Sequence, residues 1–440
     1  MNILLLSGGS GKRLWPLSND IRSKQFIKMF KTDGGVYESM VQRVYRQIMT
    51  ENANARVIVA TSKSQVSVIN NQLGGNVGIS VEPCRRDTFP AIALAASYMT
   101  DVMKIKPSES VIVCPVDPYV NADYFTTLSE MYKLSENGIA DLVLMGIEPD
   151  SPSEKFGYMI PEDSERVSAI CEFKEKPDRR TAEKYIADGG LWNGGVFAFK
   201  LEYVLKRAHE LIDFENYLDL YEKYDKLPRI SFDYAVVEHE KNIKAVRFSG
   251  MWRDLGTWNS FTEAMTEDVI GDGIIGDTCE GVNIVNEMNI PVLAVGLRDT
   301  VISVSPEGIL VADKSSADGI KPYVDKIARR IMFAEKSWGS FQVLEAEEES
   351  LTIKVTLNPG HCMNYHSHRH RDEVWTVIYG NGRACIDGNV KKISVGDVIE
   401  MPSGCRHTVF ADTELRIIEV QTGREINVSD KEKHPMPACL

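Results

Sequence analysis

The chain has 440 residues, 43% of them hydrophobic and 26% charged, so a core of ordinary size is available for about two to four domains. A formal net charge of −13 argues against a general nucleic-acid binder, while leaving room for one anionic substrate in a locally basic cleft. No stretch approaches the roughly 18 consecutive apolar residues of a membrane span, and the N-terminus enters a strand without a signal-peptide pattern. The eight cysteines form no CxxC pair, which predicts reduced thiols and a cytoplasmic protein.

Residues 3–26 read ILLLSGGSGKRLWPLSNDIRSKQF. The apolar run Ile3 to Leu6 predicts a buried parallel strand. It leads straight into Ser7-Gly8-Gly9-Ser10-Gly11 and then Lys12-Arg13. Glycines here let the backbone approach a ligand closely, and such a turn aims N–H groups at phosphate oxygens. Lys12, Arg13 and Lys24 add positive charge nearby. Taken alone, the segment is also consistent with a tight strand-to-helix turn bearing solvated cations. No Gly-Lys-Ser/Thr closes it as in a P-loop.

Further along, ARVIVAT (55–61), SVIVCPVD (110–117) and ADLVLMGI (140–147) predict buried strands. Segments 38–50, 90–105 and 123–136 predict helices. The alternation implies a Rossmann-like α/β domain over 1–265, with a mostly parallel sheet and ligands at the carboxyl ends of its strands. Asp117 ends one such strand; it is either a helix N-cap or a carboxylate engaged by metal or hydrogen bonds. Asp254 lies in MWRDLGTW between two tryptophans, and taken alone is a turn Asp packed under aromatics. Glu175-Lys176 before Pro177 would ordinarily be a solvated pair on extended chain.

From 266 to 316 the runs NIVNE, IPVLAVG, DTVISVS and GILVADK predict a small all-β unit. Residues 317–336 predict a linker helix. Residues 337–427 are β-rich with turns at roughly ten-residue spacing, which predicts a sandwich or barrel. The polar tail, 428–440, predicts loose order.

The opening run resembles the signature loop of sugar-1-phosphate nucleotidyltransferases, and RLWPLS with KQF resembles the mannose-1-phosphate guanylyltransferases. Seven elements in the family's order, across the first 265 residues, carry the likeness. The resemblance implies that Leu6, Gly8, Gly9, Ser10, Gly11, Lys12, Arg13, Glu82, Arg86 and Asp87 bind the nucleotide. It implies Mg²⁺ on Asp117 and Asp254, with Arg13, Lys24 and Lys176 neutralising phosphate. In EFKEKPD, WNGGVFAF, FGYM and ISFDYAVVE it assigns Glu175, Lys176, Asn193, Gly157 and Asp233 to the sugar phosphate. It also implies a left-handed β-helix-like coil over 266–316. Departures include Asp87 for Asn, Phe89 for Ala, Pro118 for His, Lys12 for Thr and Ser23 for Pro. Several fall near the expected nucleoside pocket.

Five of the eight histidines lie between 361 and 407. His366 and His368 would face one side of a strand, with Glu373 after a turn and His407 on another hairpin. A histidine-rich stretch is often solvated surface, but the spacing from Gly360 to Gly380 and from Gly396 to His407 resembles both cupin motifs, with Ala411 in place of Asn. Such a set suits Zn²⁺ or a similar transition metal. The region resembles the cupin of type II phosphomannose isomerases, and Arg371 falls at that family's active-site arginine. His366 replaces Gln, and Val374 replaces His.

The combined expectation is an enzyme that joins a sugar 1-phosphate to a nucleoside triphosphate, GTP and mannose 1-phosphate above others. It would act without nucleic acid or membrane, as a homo-oligomer. Three rivals stand beside it: the same chemistry with CTP, UTP or a heptose phosphate; an isomerase led by the cupin; and a non-catalytic sugar-nucleotide sensor. The intact Asp, Lys and Gly elements count against the sensor.

Overall fold

A computed structural model describes residues 1–8, 12–19, 21–327, 330–424, 426–427 and 430–436. Gly9, Ser10 and Gly11 of the opening turn lie outside the described residues, as does the side chain of Lys12. The chain divides into two compact units. The first comprises Met1–Ser10, Lys24–Val66 and Leu73–Thr266; the second comprises Gly11–Ser23, Ser67–Gln72 and Glu267–Leu440.

The first unit is the expected α/β domain. Its sheet runs in the order Gly78–Glu82, Arg56–Ser62, Asn2–Ser7, Ser110–Pro115, Leu191–Lys200, Leu142–Ile147, Ile243–Phe248, Val167–Lys174, Tyr158–Pro161. All strands run one way except Leu191–Lys200 and Val167–Lys174. The central strands are apolar because helices cover both faces: Ile3, Leu5, Ile58, Val59, Ile112 and Val113 are all fully buried. The apolar helix Thr88–Asp101 packs into the same core. Parallel register (Ser7 beside Thr61, Leu6 beside Pro115, Ser62 beside Glu82) brings the carboxyl ends to one edge. Leu191–Lys200 runs the other way, so its beginning, with Asn193, arrives at that edge too.

The second unit begins as parallel rungs. Val269–Ile270, Asn283–Asn286 and Thr300–Ser305 pair in parallel, as do Gly273–Ile275 and Val292–Ala294. Val282, Ile284, Ala294, Ile302 and Val304 fill the core. The Gly11–Ser23 segment joins this unit through Arg22, whose guanidinium donates to both Glu287 oxygens at 2.7 and 2.8 Å. Two further sheets build the cupin, a six-stranded one from Phe333–Lys336 to Val398–Met401 and a five-stranded one from Asn389–Ser394 to Lys431–Lys433. Its core centres on Trp375, Val377, Val355 and Leu357.

Two expectations fail. The linker helix over 317–336 is only the short turns Ala317–Gly319 and Lys321–Val324, and Phe333–Lys336 is a strand. Its helical period is overridden by pairing with Gly339–Ala346, which buries Ala334 completely. The described part of the tail is not loose: Lys431–Lys433 pairs with His366–His368. That strand is held by backbone pairing and by the buried carboxylate of Asp430, so no apolar periodicity marks it. No helix among the described residues is long and apolar enough to cross a membrane.

Candidate active site and metal centre

Asp117 follows the strand Ser110–Pro115 at the sheet's ligand-facing edge. The next residues, Pro118–Val120, pair antiparallel with Trp252–Asp254, and the register sets Asp254 opposite Pro118. Two carboxylates distant in sequence thus become neighbours. Lys24 reaches between them, with Nζ 2.8 Å from Asp117 Oδ2 and 3.2 Å from Asp254 Oδ1. Burial works against the ammonium, but the charges of Asp117 and then Asp254 outweigh it and raise the lysine's pKa. The carboxylates themselves remain 34% and 43% exposed. They form an oxygen donor set that converges on one cation and stays open to water. That fits a hard divalent ion such as Mg²⁺.

Two cavities meet at Asp117. The smaller, about 210 Å³, is lined by Gly157, Glu175, Asn193 and Asp233, with Phe156 and Trp252 as aromatic walls. Asn193 Nδ2 donates to Asp233 Oδ1 at 2.6 Å, and Lys176 Nζ donates to Glu175 Oε1 at 2.7 Å. A Cβ at Gly157 would lie 2.5 Å from Glu175 Oε2, so a side chain there would displace the Glu175 carboxylate from the cavity wall. Burial, then the charge of Glu175, pushes the Asp233 carboxyl up to about 6. The larger cavity, about 380 Å³, is lined by Leu6, Gly8, Gln65, Glu82, Arg85 and Asp87 among others. Burial pushes Glu82 up to about 7, against the influence of the neighbouring Tyr224 hydroxyl and the charge of Arg85. Asp87 has φ 73° and caps the helix Thr88–Asp101 by accepting from Thr88 N at 2.8 Å. Asp117, Asp233, Pro115 and Gly195 line both cavities.

In the cupin, His366, His368, Glu373 and His407 are buried, with their ligand atoms all within 4.8 Å of one another. Each histidine turns Nδ1 to a backbone carbonyl: Asn364 at 2.6 Å, Asp430 at 3.3 Å and Cys405 at 3.1 Å. That arrangement presents Nε2 to the cluster. His407 Nε2 is buried without a hydrogen bond, 3.1 Å from Glu373 Oε2. Glu373 is held well below the usual carboxylate range: burial opposes its charge, but the imidazoles of His368 and His407, each 3.1 Å from one of its oxygens, prevail. Burial and the charge of Lys431 push His366 down to about 2. Three imidazoles, one ionised carboxylate and an orphaned ring nitrogen form a set that a metal ion satisfies.

Residues 2–269 match the family model described as nucleotidyl transferase, and residues 326–434 match mannose-6-phosphate isomerase C-terminal. The chain belongs to the nucleotidyl transferase family. It is 29% identical to mannose-1-phosphate guanylyltransferase ManC of Salmonella typhimurium, covering 97% of this chain and 96% of that one. It is 28% identical to mannose-1-phosphate guanylyltransferase of Escherichia coli K12, over the same shares. Among solved structures it resembles one described as mannose-1-phosphate geranyltransferase from Thermus thermophilus. That likeness has 25% identity and a TM-score of 0.62, covering 74% of this chain and 99% of that one.

Lys24, Asp117 and Asp254 come together, as do Gly157, Glu175, Asn193 and Asp233, and the four cupin residues. Lys176 is half exposed and bound to Glu175. Arg13 is exposed and belongs to the second unit. Arg86 does not line the larger cavity; its guanidinium donates to the Asp225 carbonyl, and Arg85 takes the place beside the cavity. Sequence reasoning missed Arg85, Gln65 and the cupin residues Glu419, Asp430 and Lys431. Adjacent arginines in a turn give no cue to which one faces inward, and the tail carries no period. Asp430 accepts from Arg369 N at 3.0 Å, and its carbonyl faces His368, so the tail braces a metal-cluster residue.

The protein purified without chelator should carry about one transition-metal ion per chain. Metal analysis should show the ion lost in His368→Ala and bound about tenfold more weakly in Asp430→Asn.

Proposed function

We propose that the first unit transfers a guanylyl group from GTP to mannose 1-phosphate, giving GDP-mannose and pyrophosphate. One observation carries this reading: two cavities of different chemistry share Asp117, where Lys24 bridges it to Asp254. The names of the relatives in Salmonella typhimurium and Escherichia coli K12 support the choice of substrates. In this reading the smaller cavity takes the sugar and the larger one the nucleoside. A phosphate oxygen of the sugar 1-phosphate attacks the α-phosphorus in line, and the bond to the β-phosphate breaks. Lys24 stays protonated and neutralises charge as the two anions approach. Asp117 and Asp254 would hold Mg²⁺, which supplies Lewis-acid stabilisation of the phosphate oxygens. Asn193, Asp233 and Glu175 orient the sugar through its hydroxyls, and Lys176 takes its phosphate. Glu82 and Asp87 present carboxylates toward the base, which suits the adjacent N–H donors of guanine. Leu6 and Gly8 line the larger cavity and approach the nucleotide closely.

A second reading concerns the cupin: interconversion of mannose 6-phosphate and fructose 6-phosphate. Arg371 favours it. The residue is buried, with Nε 3.1 Å from Glu373 Oε1 and Nη2 3.1 Å from His368 Nε2, beside a cavity of about 550 Å³. Zn²⁺ or a similar ion on the four cupin residues would supply carbonyl polarisation when bound.

A pyrophosphate-release screen of the four triphosphates with mannose 1-phosphate should favour GTP over CTP and UTP by more than about a hundredfold, or roughly 2.7 kcal/mol. Asp117→Asn and Asp254→Asn should lower kcat by orders of magnitude with an unchanged circular dichroism spectrum; near-normal turnover in both would overturn the assignment. The sugar site should be pH-sensitive. Affinity for mannose 1-phosphate should rise as Asp233 ionises through about 6, and Asp233→Asn should flatten the profile. The same group works oppositely on stability. A carboxyl raised by folding stabilises below its unfolded value and loses that contribution as pH rises through about 6. For the cupin, coupled-enzyme detection of fructose 6-phosphate should show turnover that Arg371→Ala abolishes.

A further inference from the structure

The two-strand ribbon that brings Asp254 beside Asp117 is short, Pro118–Val120 against Trp252–Asp254. So small a pairing does not hold its own geometry in water. Something outside it must fix its position: Trp252 packs on Phe156 and Trp192, and Arg43 holds the Tyr119–Val120 side.

Arg43 projects from the helix Met40–Glu51, which is anchored by a capping box at Ser39 and Gln42 and by buried Met40, Val41, Val44 and Ile48. Its guanidinium lies 4.4 Å from the Tyr119 ring centroid and 5.7 Å from that of Phe30. The two rings stack on each other, with centroids 5.4 Å apart and planes inclined by 16°. Nη2 also donates to the Val120 carbonyl at 2.9 Å, and Nη1 donates to Gln47 on its own helix at 3.0 Å. Tyr119 and Val120 form the Asp117 side of the ribbon, and their register partners are Arg253 and Trp252. Phe30 lies on the strand Lys28–Lys31, directly after the turn Lys24–Phe26 that carries Lys24. One planar cation is therefore fixed to both segments whose side chains meet at the Asp117–Lys24–Asp254 cluster.

We propose that Arg43 is a positioning residue for this cluster, setting the spacing of the two carboxylates by clamping Tyr119, Val120 and Phe30. The proposal rests on the reading above that these carboxylates hold a divalent ion. A guanidinium stacks and hydrogen-bonds in one plane, so lysine replaces it only in part. Removing it leaves Asp117, Asp254 and Lys24 chemically intact. What changes is the metal affinity of the pair, not the groups themselves.

The test uses the full chain with GTP present. With the cupin site filled beforehand by Zn²⁺, which outcompetes Mn²⁺ for nitrogen donors, free Mn²⁺ is followed by electron paramagnetic resonance, alongside the Mg²⁺ activation curve of GDP-mannose formation. Arg43→Ala should bind Mn²⁺ about tenfold more weakly, the low end for residues that orient metal ligands, and need correspondingly more Mg²⁺. At saturating Mg²⁺ its kcat should recover to within about threefold of wild type, and Arg43→Lys should fall between the two. A merely structural arginine would lower the melting temperature and leave both metal curves unmoved. That result overturns the proposal. Should Arg43→Ala not fold, Tyr119→Leu decides in its place, since it removes the stack and keeps the hydrogen bond. A weakened Mn²⁺ curve supports the clamp, and an unchanged one overturns it. Asp117→Asn separates the two ideas: if it binds Mn²⁺ like wild type, the metal assignment is what fails.

Discussion

Charge repulsion is the constraint around which the first unit is arranged. In the proposed reaction, two phosphate-bearing anions call for positive charge beside them, while a divalent ion would need carboxylates to hold it. The antiparallel register of Pro118–Val120 with Trp252–Asp254 resolves this by setting two acids side by side, with the ammonium of Lys24 between them. The acids stay partly solvated, so their charges carry little desolvation cost. Lys24 is the more buried partner, and it keeps its proton because it has two counter-charges. Every other feature of the site follows from this centre. The cavities open on either side of Asp117, and the parallel strands deliver Leu6, Glu82 and Pro115 to the same edge.

The cupin solves the opposite problem. Its acid and three imidazoles are fully enclosed, where an unpaired charge or an unused lone pair is costly. Backbone carbonyls set the imidazole orientation, and Arg371 balances Glu373 from within the barrel. The C-terminal strand completes the enclosure, because Asp430 and Lys431 enter the site from a segment that looks like solvated tail in composition. The chain thus carries two donor sets of opposite character, one open and oxygen-only, the other buried and nitrogen-rich.

Much of this was legible in the amino-acid order because local rules carried it. Apolar runs of four to seven residues with amphipathic segments between them specify a mostly parallel sheet, and i, i+2 spacing specifies that His366 and His368 share a face. Motif spacing pointed to Glu373 and His407 as their companions, and the four ligand atoms do lie within 4.8 Å of one another. The failures have equally local causes. The 317–336 segment has helical periodicity, but Phe333–Lys336 found a strand partner, and pairing with burial outweighs propensity. Arg85 and Arg86 are indistinguishable by type, and only the turn at Asp87, with its left-handed φ, decides which faces the cavity.

Residue chemistry and order alone determined the classes of element, the candidate ligands and the division into a transferase-like part and a cupin, because strand length, periodicity and motif spacing are short-range properties. Tertiary structure alone decided which distant groups meet: Asp254 with Asp117 through strand register, Lys24 between them, Asp430 behind His368, and Arg43 against Tyr119 and Phe30. Those are pairings of surfaces far apart along the chain. Their geometry is set by packing and hydrogen bonding after the chain has closed on itself, and no local pattern of residues encodes it.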